Sequence, residues 1–296
     1  MNWVVPSTAA TGRRSLSATA PEPAAVMAKA RSENFPVASR VLPAGVRSHL
    51  LAVYGFARLV DDAGDEARSD RLALLDWLEA DIQRAYTGVP EHPLIAALGP
   101  TIAQCSLPIE PFLALIQANR QDQLVRRYRT FDELLGYCAL SANPVGELVL
   151  RILGAATPER LSLSDKICSG LQLVEHWQDL AEDYRRDRIY LPGEDLERFR
   201  VDEHELGAYA ASSALRRLMA FEVARARRLL AEGAPLIRTL RGRPTFAVAA
   251  FVAGGRSALA AIERAGYDVL GSSPRPGPAL RVSALFSTLL GTRSAR

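Results

Sequence analysis

The sequence predicts an all-α fold, a single-domain helical bundle, on three observations. Apolar residues recur at spacings of three and four along seven successive segments. No stretch shows the alternation of a half-buried strand, and no regular repeat marks a solenoid. At 296 residues, 48% apolar and 23% charged, the chain is composed like an ordinary globular protein and is long enough to bury a large core.

In chain order, residues 1–27 are rich in Ala, Ser, Thr and Pro, lack periodicity and read as a disordered extension. Its early arginines and the absence of acid before Glu22 faintly resemble a transit peptide. It has no h-region of a secretory signal. The domain follows over 28–270. "LPAGVRSHLLAVYGFARLVDD" starts at a proline, as helices do. "RLALLDWLEADIQRAY", "IEPFLALIQANRQDQ" and "FDELLGYCALSANPVGELVLRILG" continue the helical period, as do "DKICSGLQLVEHWQDLAEDYRRD" and "SALRRLMAFEVARARRLLAEGAPLI". "TGVPEHP", "GAATPE" and "RGRP" separate them. "TFAVAAFVAGG" has almost no polar face, which predicts a central helix. No apolar run reaches about 18 residues, so no spanning helix is expected.

The residue inventory narrows the chemistry. A net charge of +3 gives no basis for nucleic-acid binding. Only Lys29 and Lys166 among 36 basic residues are lysine, which reflects genomic base composition or recognition of phosphate by guanidinium. Cys105, Cys138 and Cys168 form no CxxC pair, as in a reducing, cytoplasmic compartment. HExxH and Glu-x-x-His are absent, which argues against a zinc protease and a di-iron bundle.

Two acidic stripes remain. "DDAGDE" places four carboxylates within six positions, with Asp61 and Asp65 four apart and Asp62 and Glu66 just around the turn. Like charges at this spacing repel. In "LQLVEHWQDLAEDYRRDRIYLP", Glu175, Asp179 and Asp183 are also four apart and share one helix face. Either stripe alone reads as a solvated face. Both, however, grow from apolar helices carrying Tyr54, Phe56, Leu173 and Trp177, and arginines stand beside them: Arg58, Arg185, Arg186 and Arg188. Two stripes facing across a bundle make an oxygen-lined site for Mg²⁺, which favours a few carboxylates plus water and substrate phosphate. Acid for metal beside arginine for phosphate predicts a diphosphate site.

"YGFARLVDDAGDE" and "QLVEHWQDLAEDYRRDRIYLP", with "YCALSANPVGELVL" between them, resemble the signatures of the squalene/phytoene synthase family of head-to-head prenyl synthases. The resemblance runs from Ser32 to Tyr267 and implies a bundle of the isoprenoid synthase type with a central active-site cavity. Within the family, "SENFPVASRVLP" and "SANPVG" are most similar to the hydroxysqualene synthases of bacterial hopanoid biosynthesis. These convert presqualene diphosphate and water to hydroxysqualene and diphosphate.

The resemblance implies more than one Mg²⁺, held by Asp61, Asp62 and Asp65 on one side and Asp179 and Asp183 on the other. Glu175 stands where the family usually has Asn or Gln and is a further candidate ligand. Tyr54, Arg58, Arg188 and Tyr190 match positions that contact diphosphate or orient the carboxylates. Ser32 and Phe35 match the entrance, Tyr137, Ala142 and Gly146 the prenyl tunnel, and Gln172 a substrate-binding position. Phe35, Tyr54, Tyr137 and Trp177 are candidate aromatic faces for a carbocation, and Asn143 is a candidate holder of the quenching water. No NADPH is expected for this reaction. The alternatives are a squalene, presqualene diphosphate or phytoene synthase acting on two prenyl diphosphates, and a non-catalytic assembly factor, which should have lost its aspartates.

Beyond 270, "SSPRPGP" reads as a hinge. The segment "ALRVSALFSTLLGTRSAR" is a short basic amphipathic helix with two readings: a terminal helix packed on the bundle, or a peripheral contact with an anionic membrane surface.

Overall fold

The computed structural model describes residues 19–29, 42–67 and 70–293. Among the described residues the regular structure is helical, and the only strand-like pairing is a parallel bridge between Arg127 and Ile189. Within the stretch expected to be an extension, α1 (Pro23–Ala28) is helical and buries Val26. The 22-residue α2 (Ala44–Asp65) follows Pro43 directly. α3 (Arg71–Thr87) starts at Asp70, whose side chain accepts from the Ala73 amide and so satisfies one of the unpaired N–H groups of a helix start. α4 (Pro93–Ala96) and α5 (Gly99–Cys105) lead into α6 (Glu110–Leu124).

The segment read as one helix from Phe131 is two, α7 (Phe131–Ser141) and α8 (Asn143–Ile152). Pro144 has no N–H to continue the ladder, and the chain turns at Ala142. α9 (Pro158–Arg185) is the longest helix, capped by Thr157 with Pro158 in its first turn. Then come α10 (Gly193–Phe199), a 3₁₀ turn at Glu203–Gly207, α11 (Ser213–Gly233), α12 (Leu236–Thr239) and α13 (Arg243–Arg264). By length and composition α13 could cross a bilayer, against the expectation from sequence, but most of it is buried in the bundle. There it is the central helix that its apolar sequence predicts.

Two hydrophobic clusters carry the fold. One gathers α2, α3 and α6 around Phe56, Leu78 and Phe112; the other gathers α9, α11 and α13 around Trp177, Leu230 and Leu259. Each such side chain contributes about 1.5–3 kcal/mol on burial. The prolines after 271 break the helix as expected, and α14 (Pro278–Arg293) then folds back along α13. Thr288 is buried there and accepts from Arg256 Nη1 at 3.0 Å, and Leu285 packs on the core. Of the two readings of the tail, the structure shows the packed terminal helix.

Candidate active site

The acidic stripes occupy the last turns of α2 and α9 and meet across one cavity. Helix C-termini carry the negative end of the macrodipole, so carboxylates there are disfavoured unless something positive compensates them. Asp61, Asp65, Glu175, Asp179 and Asp183 line a polar chamber of about 240 Å³, together with Asn119, Asp122, Tyr137, Gln172, His176, Arg186, Arg188 and Tyr190. An outer vestibule of about 490 Å³, edged by Arg58, Arg71, Arg126, Arg186 and Arg188, adjoins it.

On the α2 side, Asp61 opens onto the chamber yet is surrounded by protein. This desolvation raises its pKa to about 6, against the Asn119 amide, which donates to Asp61 at 3.1 Å, and the charge of Arg58. Asp65 pairs with Arg188 Nη1 at 2.8 Å. Asp62 lies on the vestibule side and is buried in ion pairs with Lys29 at 2.9 Å and Arg58 at 3.0 Å. Glu66 also binds Lys29. The helix end is held by Gln123, which donates to the Gly64 carbonyl at 3.0 Å. A side chain at Gly64 would collide with Asn119, so glycine here is a condition of the close approach of α6.

On the α9 side, burial pushes Asp183 up to about 7, with Asp179 adding repulsion. Asp179 is raised by desolvation and by Glu182, and lowered by Arg275, which the 271–277 segment brings close. The Gln178 side chain donates to the Pro274 carbonyl and fixes that segment beside the stripe. Arg188 is buried and its Nε has no hydrogen-bond partner among the described residues, a donor left over for an anion.

The chamber wall is a polar and aromatic network. Asp122 accepts from Tyr137 at 2.6 Å and Tyr190 at 3.0 Å, and burial raises its pKa. His176 stacks on Tyr190 at 3.7 Å between ring centroids, and desolvation lowers its pKa to about 3, so it is neutral.

A second, apolar chamber of about 380 Å³ opens from the first, lined by Leu50, Val53, Tyr54, Ala57, Ala142, Val145, Gly146, Val149, Leu150, Ile167, Leu171, Leu236, Val248 and Phe251. Any side chain at Gly146 would meet Ser164 and Cys168 on α9, so the tight α8–α9 wall requires glycine. The three cysteines are free thiols, and burial pushes Cys168 up to about 11, which leaves it unreactive.

Most of the sequence-predicted residues converge here, with four exceptions. Asp62 lines the outer vestibule beside Asp61 and Asp65 rather than the polar chamber, and is paired there with Lys29 and Arg58, because 62 lies a quarter-turn round α2 from the face that meets the chamber. Tyr137 lines the polar chamber and not the apolar tunnel, since its hydroxyl is drawn to Asp122. Trp177 is wholly buried in the core and lines neither chamber. Asn143 accepts from Ser169 at 3.0 Å and lines neither chamber. Ser32 and Phe35 lie outside the described residues. Asn119, Asp122, His176, Arg275 and Lys29 were not anticipated. Asn119 and Asp122 had a signal, being polar residues at the Leu115 spacing on the face of α6 that is otherwise apolar.

The donor set fits hard divalent cations. Among the described residues no three His, Cys, Asp or Glu side chains converge into a self-sufficient metal cage. Paired carboxylates across a chamber, with raised pKa values and an unpartnered guanidinium N–H nearby, suit an ion completed by water and phosphate.

An α-bundle with acidic helix ends over an apolar pocket is the architecture that the resemblance to isoprenoid synthases implied, and comparison with known proteins shows that fold. A family model described as squalene/phytoene synthase matches residues 28–283. A hydroxysqualene synthase of Rhodopseudomonas palustris is 35% identical over 71% of this chain and 72% of its own. A phytoene synthase of Arthrospira platensis is 32% identical over 80% and 82%. The crystal structure of squalene synthase HpnC from Alicyclobacillus acidocaldarius superposes with a TM-score of 0.77 at 41% identity, covering 89% of this chain and 97% of that one. A dehydrosqualene synthase, 23% identical over 96% and 99%, shares the fold with a TM-score of 0.83. The chain belongs to the squalene/phytoene synthase family, whose members are enzymes that process prenyl diphosphates.

Proposed function

We propose that this enzyme is a hydroxysqualene synthase, which ionises presqualene diphosphate and adds water to give hydroxysqualene and diphosphate. The observation that supports the reading is the join between the acidic, arginine-edged chamber and the apolar one, two adjoining compartments whose linings suit a diphosphate and its hydrocarbon. Similarity to hydroxysqualene synthases supports this member reaction.

Arg58, Arg186 and Arg188 stand where they can donate to the diphosphate oxygens and stabilise the charge that grows as the C–O bond breaks. Asp61, Asp65, Asp179, Asp183 and Glu175 would hold Mg²⁺, whose chemistry when bound is to act as a Lewis acid toward the leaving group. The walls around Val53, Val145 and Val248 exclude bulk water from the cyclopropylcarbinyl cation while it rearranges. Tyr54 offers it an aromatic face. Neutral His176 adds no positive charge beside it.

A second reading, condensation of two prenyl diphosphates, draws on the phytoene synthases among the relatives. The test incubates the purified enzyme with presqualene diphosphate or farnesyl diphosphate, each with and without NADPH. A C30 alcohol carrying oxygen from labelled water, formed without reductant, is expected. Squalene appearing only with NADPH, or condensation of farnesyl diphosphate as the main activity, overturns the assignment.

A further inference from the structure

We propose that Ser141 holds the water that quenches the cation, an inference that rests on the hydroxysqualene synthase reading above. The two chambers share four lining residues, Asp61, Ser141, Gln172 and Glu175, which form the neck between diphosphate and hydrocarbon. Three of these are committed or charged. Asp61 accepts from Asn119, Gln172 pairs its amide with His176 at 3.2 Å, and Glu175 is a second carboxylate. Ser141 is the neutral hydroxyl of the set. Its Oγ is buried and has no hydrogen-bond partner among the described residues.

A helical serine usually turns its hydroxyl back to the carbonyl four residues earlier, here that of Tyr137. Ser141 is the last residue of α7, just before the chain turns at Ala142, and its hydroxyl makes no such bond. A buried orphan hydroxyl is costly. As placed, Oγ is closed off from the open volume that the residue borders on both sides. Rotation about Cα–Cβ to another staggered rotamer turns it into the polar neck, where an ordered water is the usual remedy, provided that it finds at least two partners. Ser141 supplies one, and Gln172 or Glu175 supplies the next. A hydroxyl both donates and accepts, so it orients a water lone pair without adding charge beside a cation. The water so held lies at the edge of the apolar chamber, within reach of the cation that rearranges there.

The step balances. The electron pair of the broken C–O bond leaves with the diphosphate, a lone pair of the water forms the new C–O bond, and the surplus water proton passes to an oxygen of the released diphosphate.

The test is Ser141→Ala, fed presqualene diphosphate in labelled water, with substrate consumption and product identity measured separately. Consumption within about threefold of wild type, with the ratio of labelled alcohol to proton-loss hydrocarbons lowered about tenfold, is expected. An unchanged ratio overturns the proposal. So does a fall in consumption with the ratio preserved, because Ser141 would then act before the quench. If the wild-type enzyme makes no alcohol at all, it is the functional assignment that falls. The site is then read in a crystal structure of the wild-type protein: a water bonded to Ser141 Oγ supports it, and its absence at a resolution that shows other buried waters overturns it.

Discussion

At the end of α2, Lys29 and Arg58 reach Asp62, Asn119 reaches Asp61 and Arg188 reaches Asp65. At the end of α9, the side chains of Asp179 and Asp183 make no hydrogen bond or ion pair among the described residues, and their pKa values are raised. Both helix ends concentrate negative charge, but the protein neutralises most of the first and leaves the second to whatever binds. The first stripe is therefore a built half-site, positioned before ligand arrives. The second is the half whose charge is left for a bound ligand to compensate.

That division can be broken by substitution. The largest effect is expected for Asp183→Asn or Asp61→Asn, each lowering turnover on the order of 10²–10³-fold or more with the helical fold intact, since each removes charge and little packing. Near-normal rates at saturating Mg²⁺, with circular dichroism confirming the fold, would contradict the site itself. Glu175→Asn comes next, because Glu175 lines both chambers and adds a carboxylate to the less compensated half. Its half-saturating Mg²⁺ should rise several-fold while the maximal rate changes less. An unchanged metal titration would make Glu175 structural.

Asp62→Asn probes the compensated half. It should destabilise the protein by on the order of 1–2 kcal/mol, because Lys29 and Arg58 lose their common partner at a partly buried position. The rate should fall less than for Asp61→Asn. Equal losses of rate in the two variants would count Asp62 among the ligands with Asp61.

A carboxylate pair outside the site supplies the smallest effect and a control. Glu222, beside Asp195 and Arg225, is pushed up to about 8, first by burial. The folded state therefore holds a proton that the unfolded state releases near the ordinary glutamate value of 4.5, so stability falls as pH rises from there to about 8. Glu222→Gln lacks that dependence. Its Tm should draw level with wild type near pH 5 and exceed it by a few degrees at pH 8, measured by thermal melts across that range. A constant offset at all pH values would show that Glu222 does not titrate in this window.

The all-α fold and the two stripes were legible because both are written in local spacing. Carboxylates four apart share a helix face wherever the helix sits, and apolar residues at three and four bury the opposite side. Tertiary structure decided which side of the first stripe does what. Asp61 and Asp62 are neighbours in sequence, yet α6 and α9 face one while Lys29 meets the other. It also decided that Asp122 would sit between Tyr137 and Tyr190, that the tail would return to α13, and that Trp177 would be core rather than site. Spacing along one helix carries no information about which element packs against it. That is fixed only when residues far apart in the chain are brought together to bury their common apolar surface.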